Sequence, residues 1–294
     1  MPSAHYRGAP GPTWLAITRA LVQEHPLFSD PSTLLSRVTE AWDAVWGTQV
    51  GVAPLAIPFA ELDPRAAIVG DFFETLLSYR LAQSGEWRRG TSAEKDLIYL
   101  GKAEGDLDTE IKTSGQAGGY IYGNRSYAQP DKEGKLESAA RKKRAGYYLC
   151  VNFHGSAIFR VRVGWIDAED WEPQKAPTGQ MAGLKKHVYE YKLLEVPGDH
   201  YLGAPLRVVD GVGSKRLGTL ADAGFQSVGD VALRLQAAAL DPKRWASLPQ
   251  AERARVLDVT PEVGDILRVV VGTDYFDAAW PFTVRRKSQQ RSLR

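Results

Sequence analysis

Three helical patterns, a hairpin with charged residues in its strands, and two long apolar strands follow one another in this 294-residue chain, an order that predicts an α/β fold. The sheet is expected to be mixed and flanked by helices. A later run of short helical patterns predicts a small α-helical C-terminal region. Hydrophobic residues at 44% and charged residues at 24% fit a globular chain with a substantial core, in one large domain or two smaller ones, and exclude a disordered tail protein.

Residues 1–12 are rich in Pro and Gly and are expected to be flexible. A helix follows from Trp14 to Val22, and a second from Ser32 to Trp46 repeats Leu34, Leu35, Val38, Ala41, Trp42 and Val45 at near-helical spacing. The third runs from Asp63 to Gln83, with Pro64 at its start and Ile68, Phe72, Leu76 and Tyr79 on one face. It leads into EKDLIYL, GKAEGDLD and TEIKTS, which read as strand, turn-rich connection and strand. Two strands, YYLCVNF and AIFRVRVGWI, come next, the second alternating Phe159, Val161 and Val163 with Arg160 and Arg162. Asp170 to Gln180 reads as a loop, and KKHVYEYKLLEV as a helix or strand pair. The predicted divisions are 1–12, a domain over 13–202, a module over 203–240, and a helical extension with a basic tail over 241–294.

Cys150 stands alone in an apolar run, so no internal disulfide is possible; this fits a reducing cytoplasm and a buried core residue rather than a nucleophile. No apolar run approaches a membrane span, and no export leader is recognised at the N-terminus. The net charge of +2 says nothing about nucleic acid, but its distribution does. From Lys112 to Trp165 there are ten Lys or Arg against three Asp or Glu, and Arg285 to Arg294 holds five basic residues and no acid. Basic stretches beside an acidic site suit a phosphodiester substrate. Arg141, Lys142, Lys143 and Arg144 are the candidates for phosphate contact, with a solvated charged face as the alternative.

The hairpin carries the chemistry. If it turns near Ala103, residues whose numbers sum to about 206 face each other, and Asp96 lies opposite Glu110. Opposed carboxylates repel unless a cation lies between them, and hard oxygen ligands suit Mg²⁺. Strand alternation puts Glu110 and Lys112 on one face and Ile111 on the other. This is the metal-dependent nuclease pattern PD...(D/E)xK, weighed against an ordinary hairpin with a solvated Glu/Lys face. Glu104, Asp106 and Asp108 are rival carboxylates, expected to solvate the connection. Glu74, in the preceding helix, is a secondary catalytic candidate, with a solvated surface residue as the alternative.

Farther on, LRVVDGVGSKRLGTLADAGFQSVGDVALRL resembles a helix-hairpin-helix motif: an apolar helix, a hairpin at Gly211 to Gly213, a second helix, and a further helix after Ser227. Such glycines leave backbone N–H groups bare for a phosphate oxygen, and Lys215 and Arg216 would reinforce the grip. An ordinary turn between packed helices is the alternative.

KDLIYL, TEIKTSG, IYGNRSYAQ and, more weakly, PTGQ at Pro177 to Gln180 together resemble the ScaI-like Type II restriction endonucleases of the PD-(D/E)xK nuclease superfamily, over about Trp14 to Leu202. Lys95 departs from the superfamily, where proline is common before the aspartate. The resemblance implies double-strand cleavage of DNA at a short palindromic site by a homodimer, and a partner methyltransferase. On this reading Asp96, Glu110 and the Ile111 carbonyl hold Mg²⁺, with Mn²⁺ able to substitute, and Lys112 orients the attacking water. Sequence readout is assigned to the polar residues after the ExK strand: Arg125 to guanine, and Asn124, Gln116 or Gln129 to adenine. For Asn124 and Ser126 a simple turn is the alternative. A structure-specific or repair nuclease and a non-catalytic DNA-binding protein are the rival functions.

Overall fold

The structure, a computed structural model, describes residues 5–101, 106–128, 144–174 and 181–277. Gln129, Lys142, Lys143, Glu104, Arg141, the PTGQ stretch and the basic C-terminal tail lie outside the described residues. The chain divides into two compact units, one of 1–115, 120–152 and 161–196, the other of 116–119, 153–160 and 197–294.

The first unit begins with α1 (Pro12–Glu24) and α2 (Pro31–Trp46). Asp30 starts α2 by accepting from the Ser32 and Thr33 N–H groups, and the helix buries Leu34, Val38, Ala41, Trp42 and Val45, the expected stripe. Before α1, Tyr6 is buried and its hydroxyl meets Thr18 Oγ1 at 2.7 Å.

A small hairpin of β1 (Gln49–Val50) and β2 (Ile57–Pro58) precedes α3 (Ala66–Ala82), which packs against α2. The face carrying Ile68, Phe72 and Tyr79 is exposed, and α3 buries Val69, Phe73, Leu77 and Leu81 instead. The helix is apolar on both sides, so spacing alone does not select the buried one.

The main sheet runs β11-β8-β7-β5-β4-β3, where β3 is Trp87–Arg89, β4 Leu97–Tyr99, β5 Thr109–Ser114, β7 Gly146–His154, β8 Ala157–Ile166 and β11 Leu193–Glu195. It is mixed, as expected: β5 pairs antiparallel with β4 and parallel with β7. A second sheet, β6-β10-β9, joins β6 (Tyr122–Asn124), β9 (Trp171–Pro173) and β10 (Met181–Leu184). The stretch expected to be a loop from Asp170 therefore begins with a strand. Ile121, Tyr127, Trp171 and Ala182 pack with Tyr148 and Cys150 of β7 in one buried cluster. Cys150 is buried and free, and burial pushes its thiol up to about 12. KKHVYEYKLLEV resolves into a π-helical turn (Val188–Lys192) running into β11.

Alternation in β8 misleads at Arg162. That residue is buried, donates to Asn152 Oδ1 at 2.7 Å and lies over the Tyr189 ring. Arg144 is also buried, which rules out for it the solvated-face alternative to phosphate contact.

The second unit is helical: α4 (Ser214–Asp222), α5 (Val228–Ala237), α6 (Pro242–Ser247), α7 (Gln250–Leu257) and α8 (Pro261–Val271). Leu206, Leu220, Val231, Trp245, Leu267 and Phe276 belong to one core, so the expected boundary between residues 240 and 241 falls inside a packed body. No helix among the described residues is long and apolar enough to cross a membrane.

Candidate active site

The β4–β5 register is the one the sequence predicts, since Leu97 pairs with Thr109. Asp96 sits just before β4, and its Oδ2 accepts from the Ile111 N–H at 2.7 Å. The acid is thereby fixed to β5 between Glu110 and Lys112. Ile111 itself is buried, as its opposite facing requires.

Lys112 Nζ donates to Glu110 Oε1 at 2.6 Å and to the Ile111 carbonyl at 2.9 Å, and lies 3.8 Å from Asp96 Oδ2. Burial works against its positive charge, but the Glu110 and Asp96 carboxylates outweigh it, so the ammonium is held above its ordinary range. The predicted trio is one cluster.

Glu74 joins it from α3. Gly70 lets that helix approach β5, because a Cβ at this position would run into Thr113 Oγ1. Glu74 lies beside Asp96, and its carboxyl is pushed up to about 7, first by burial and next by the Asp96 charge.

Tyr127 is a site residue that the sequence reading missed. Its hydroxyl donates to Glu110 Oε1 at 2.9 Å. The polar residues of YGNRSYAQ are the ones with evident base-reading chemistry, and no periodicity links Tyr127 to Glu110. Glu110 Oε2 is buried without a hydrogen-bond partner in the structure.

Two of the rival acids, Asp106 and Asp108, have structural roles. Asp106 Oδ2 accepts from buried Lys95 at 3.2 Å, Asp106 Oδ1 accepts from the Asp108 N–H, and Asp108 Oδ1 accepts from the Tyr99 N–H at 3.0 Å. Asp108 thereby ties the chain just before β5 to β4. Lys95 also donates to the Asp108 carbonyl at 3.1 Å, so the residue at the proline position braces the entry to β5.

Carboxylates and a backbone carbonyl are hard oxygen donors, and the buried unpartnered Glu110 Oε2 is an open ligand atom, so the donor set fits a divalent cation in its chemistry. Among the described residues no group of three or more His, Cys, Asp or Glu side chains stands ready to hold a metal ion. In this arrangement Glu110 Oε1 and the Ile111 carbonyl are taken by Lys112 and Tyr127.

Of the readout candidates, Asn124 ends β6 and Arg125 begins a 3-10 turn over Arg125–Ala128; both are exposed, Ser126 is half-buried and Gln116 is exposed. In the second unit a three-residue 3-10 turn, Leu206–Val208, stands where an apolar α-helix was expected. Gly211 has φ +84°, Gly213 caps α4, Lys215 and Arg216 are exposed, and Arg216 Nη1 donates to the Gly211 carbonyl at 2.5 Å. Ser227 and Asp230 form a capping box that starts α5 after Ser227, as predicted.

The profile of the ScaI restriction endonuclease family matches residues 4–197. A relative from Streptomyces caespitosus, the Type II restriction enzyme ScaI, is 31% identical over 203 residues, covering 65% of this chain and 83% of the relative. No solved structure matches the chain.

Proposed function

The chain belongs to the ScaI restriction endonuclease family and is a Type II site-specific deoxyribonuclease, and we propose that it makes Mg²⁺-dependent double-strand breaks at a short palindromic site as a homodimer. The observation that carries the metal-dependent reading is the meeting of Asp96, Glu110, Lys112 and Glu74 on β5 and its neighbours, with Glu110 Oε2 buried and unpartnered.

Asp96, Glu110 and the Ile111 carbonyl would hold Mg²⁺, with Mn²⁺ able to replace it. When bound, the ion supplies Lewis-acid stabilisation of charge on the scissile phosphate and a lowered pKa for its water. Lys112, held positive by its two acids, orients the attacking water and stabilises charge gathering on the phosphate oxygens. Glu74, poised near neutrality, is the group able to exchange a proton beside Asp96. In-line displacement releases the 3′ oxygen and leaves a 5′-phosphate.

Exposed Arg125, Asn124 and Gln116 read bases, and the Gly211–Gly213 turn with Lys215 and Arg216 grips the DNA backbone as a helix-hairpin-helix element. A methyltransferase of matching specificity would protect the host DNA in the cytoplasm.

Digestion of plasmid DNA in Mg²⁺ tests this reading. Discrete fragments with 5′-phosphate ends are expected. Smears, or cutting confined to branched substrates, would favour a repair nuclease, and binding without cutting a non-catalytic protein.

A further inference from the structure

Glu110 has two oxygens in unlike surroundings. Oε1 accepts from Lys112 Nζ at 2.6 Å and from the Tyr127 hydroxyl at 2.9 Å, whereas Oε2 is buried with no hydrogen-bond partner. A carboxylate oxygen with both in-plane directions occupied is a poor further ligand, and an empty buried one is costly unless a cation or donor meets it.

The tyrosine is held firmly. Its ring meets Trp171 edge-on, with centroids 5.0 Å apart. Gly123 makes that packing possible, since a Cβ there would lie 2.7 Å from Tyr127 Cδ2 and 2.9 Å from Trp171 Cζ3. The hydroxyl therefore reaches Glu110 from a rigid base. The 3-10 turn that carries Tyr127 begins at exposed Arg125, so the segment supporting Glu110 also presents a cation to solvent.

We propose that Tyr127 is a positioning residue for the metal site: by occupying Glu110 Oε1 together with Lys112, it turns Oε2 toward the divalent cation. The inference rests on the reading of Glu110 as a metal ligand. Partners of this kind, which orient a ligand without touching the ion, are worth roughly 10 to 100-fold in metal affinity. Tyr127→Phe keeps the ring against Trp171 and deletes only the hydroxyl.

Mn²⁺ titration of the full-length protein, followed by electron paramagnetic resonance, compares wild type, Tyr127→Phe and Glu110→Gln, with plasmid cleavage against Mg²⁺ concentration as a second measurement. Expected is an affinity at least about 10-fold weaker in Tyr127→Phe. Its Mg²⁺ requirement should rise while the cleavage rate at saturating ion returns toward wild type, which a general packing defect would not produce. Wild-type Mn²⁺ affinity in Tyr127→Phe, with binding lost in Glu110→Gln, overturns the role of Tyr127 alone. Undiminished binding in Glu110→Gln overturns the metal-ligand reading and the inference with it. Should Tyr127→Phe fold poorly, a cleavage rate that stays low at saturating Mg²⁺ counts against the proposal.

Discussion

Asp96 accepts the Ile111 amide at 2.7 Å, and that one bond ties the acid before β4 to the middle of the ExK strand. The same carboxylate thus has a structural partner and a chemical one. Asp96→Asn can retain an oxygen acceptor for Ile111 N–H, whereas Asp96→Ala leaves a buried donor unmet. Urea unfolding in EDTA is expected to find Asp96→Ala about 1–3 kcal/mol less stable than wild type, and Asp96→Asn closer to it.

Buried Glu110 and partly buried Lys112 pair at 2.6 Å, the side chains being 2% and 18% exposed. Lys112→Met leaves buried Glu110 short of a donor, and should destabilise by about 1–3 kcal/mol. Adding Glu110→Gln should restore much of the stability without restoring cleavage. A double-mutant cycle by chemical denaturation, paired with a plasmid assay, checks both halves.

Glu74 gives a signed pH dependence. Its folded value of about 7 lies above its ordinary 4.5, so the folded protein binds the extra proton. That stabilising contribution is present below pH 4.5 and is lost as pH rises through 7. Glu74→Gln in EDTA should therefore gain stability relative to wild type across that window, on the order of 1–2 kcal/mol after allowance for partial solvent access. A difference that does not change with pH contradicts the assignment.

His25 works in the opposite sense. It is buried against Phe28, Trp87 and Tyr147, its Nε2 meets the Leu107 carbonyl at 3.0 Å and Thr109 Oγ1 at 3.1 Å, and burial lowers it to about 4. The contribution is fully present above pH 6.5 and is lost as pH falls toward 4. Thermal melts of wild type should drop through that interval, and His25→Gln should flatten the drop while starting from a lower midpoint. An unchanged slope in the variant would exclude His25 as its source.

Much of the site was legible because strand geometry is local. Period-two alternation put Glu110 and Lys112 together, and the pairing of Leu97 with Thr109 brought Asp96 beside β5. Tertiary facts were not legible in the same way. Arg144 and Arg162 look like surface charge in a count of basic residues, yet the sheet buries both. Helix α3 carries two apolar stripes, and only packing against α2 and β5 decides between them. Tyr127 reaches Glu110 through a 3-10 turn that no spacing rule foretells.

Single-turnover cleavage of plasmid DNA in Mg²⁺ by Asp96→Asn, beside wild type, is the most direct measurement of the central claim that this carboxylate cluster is the catalytic metal site. The predicted result is a rate lower by at least about 100-fold in a protein that still folds and binds DNA. Cleavage by the variant at the wild-type rate would contradict it.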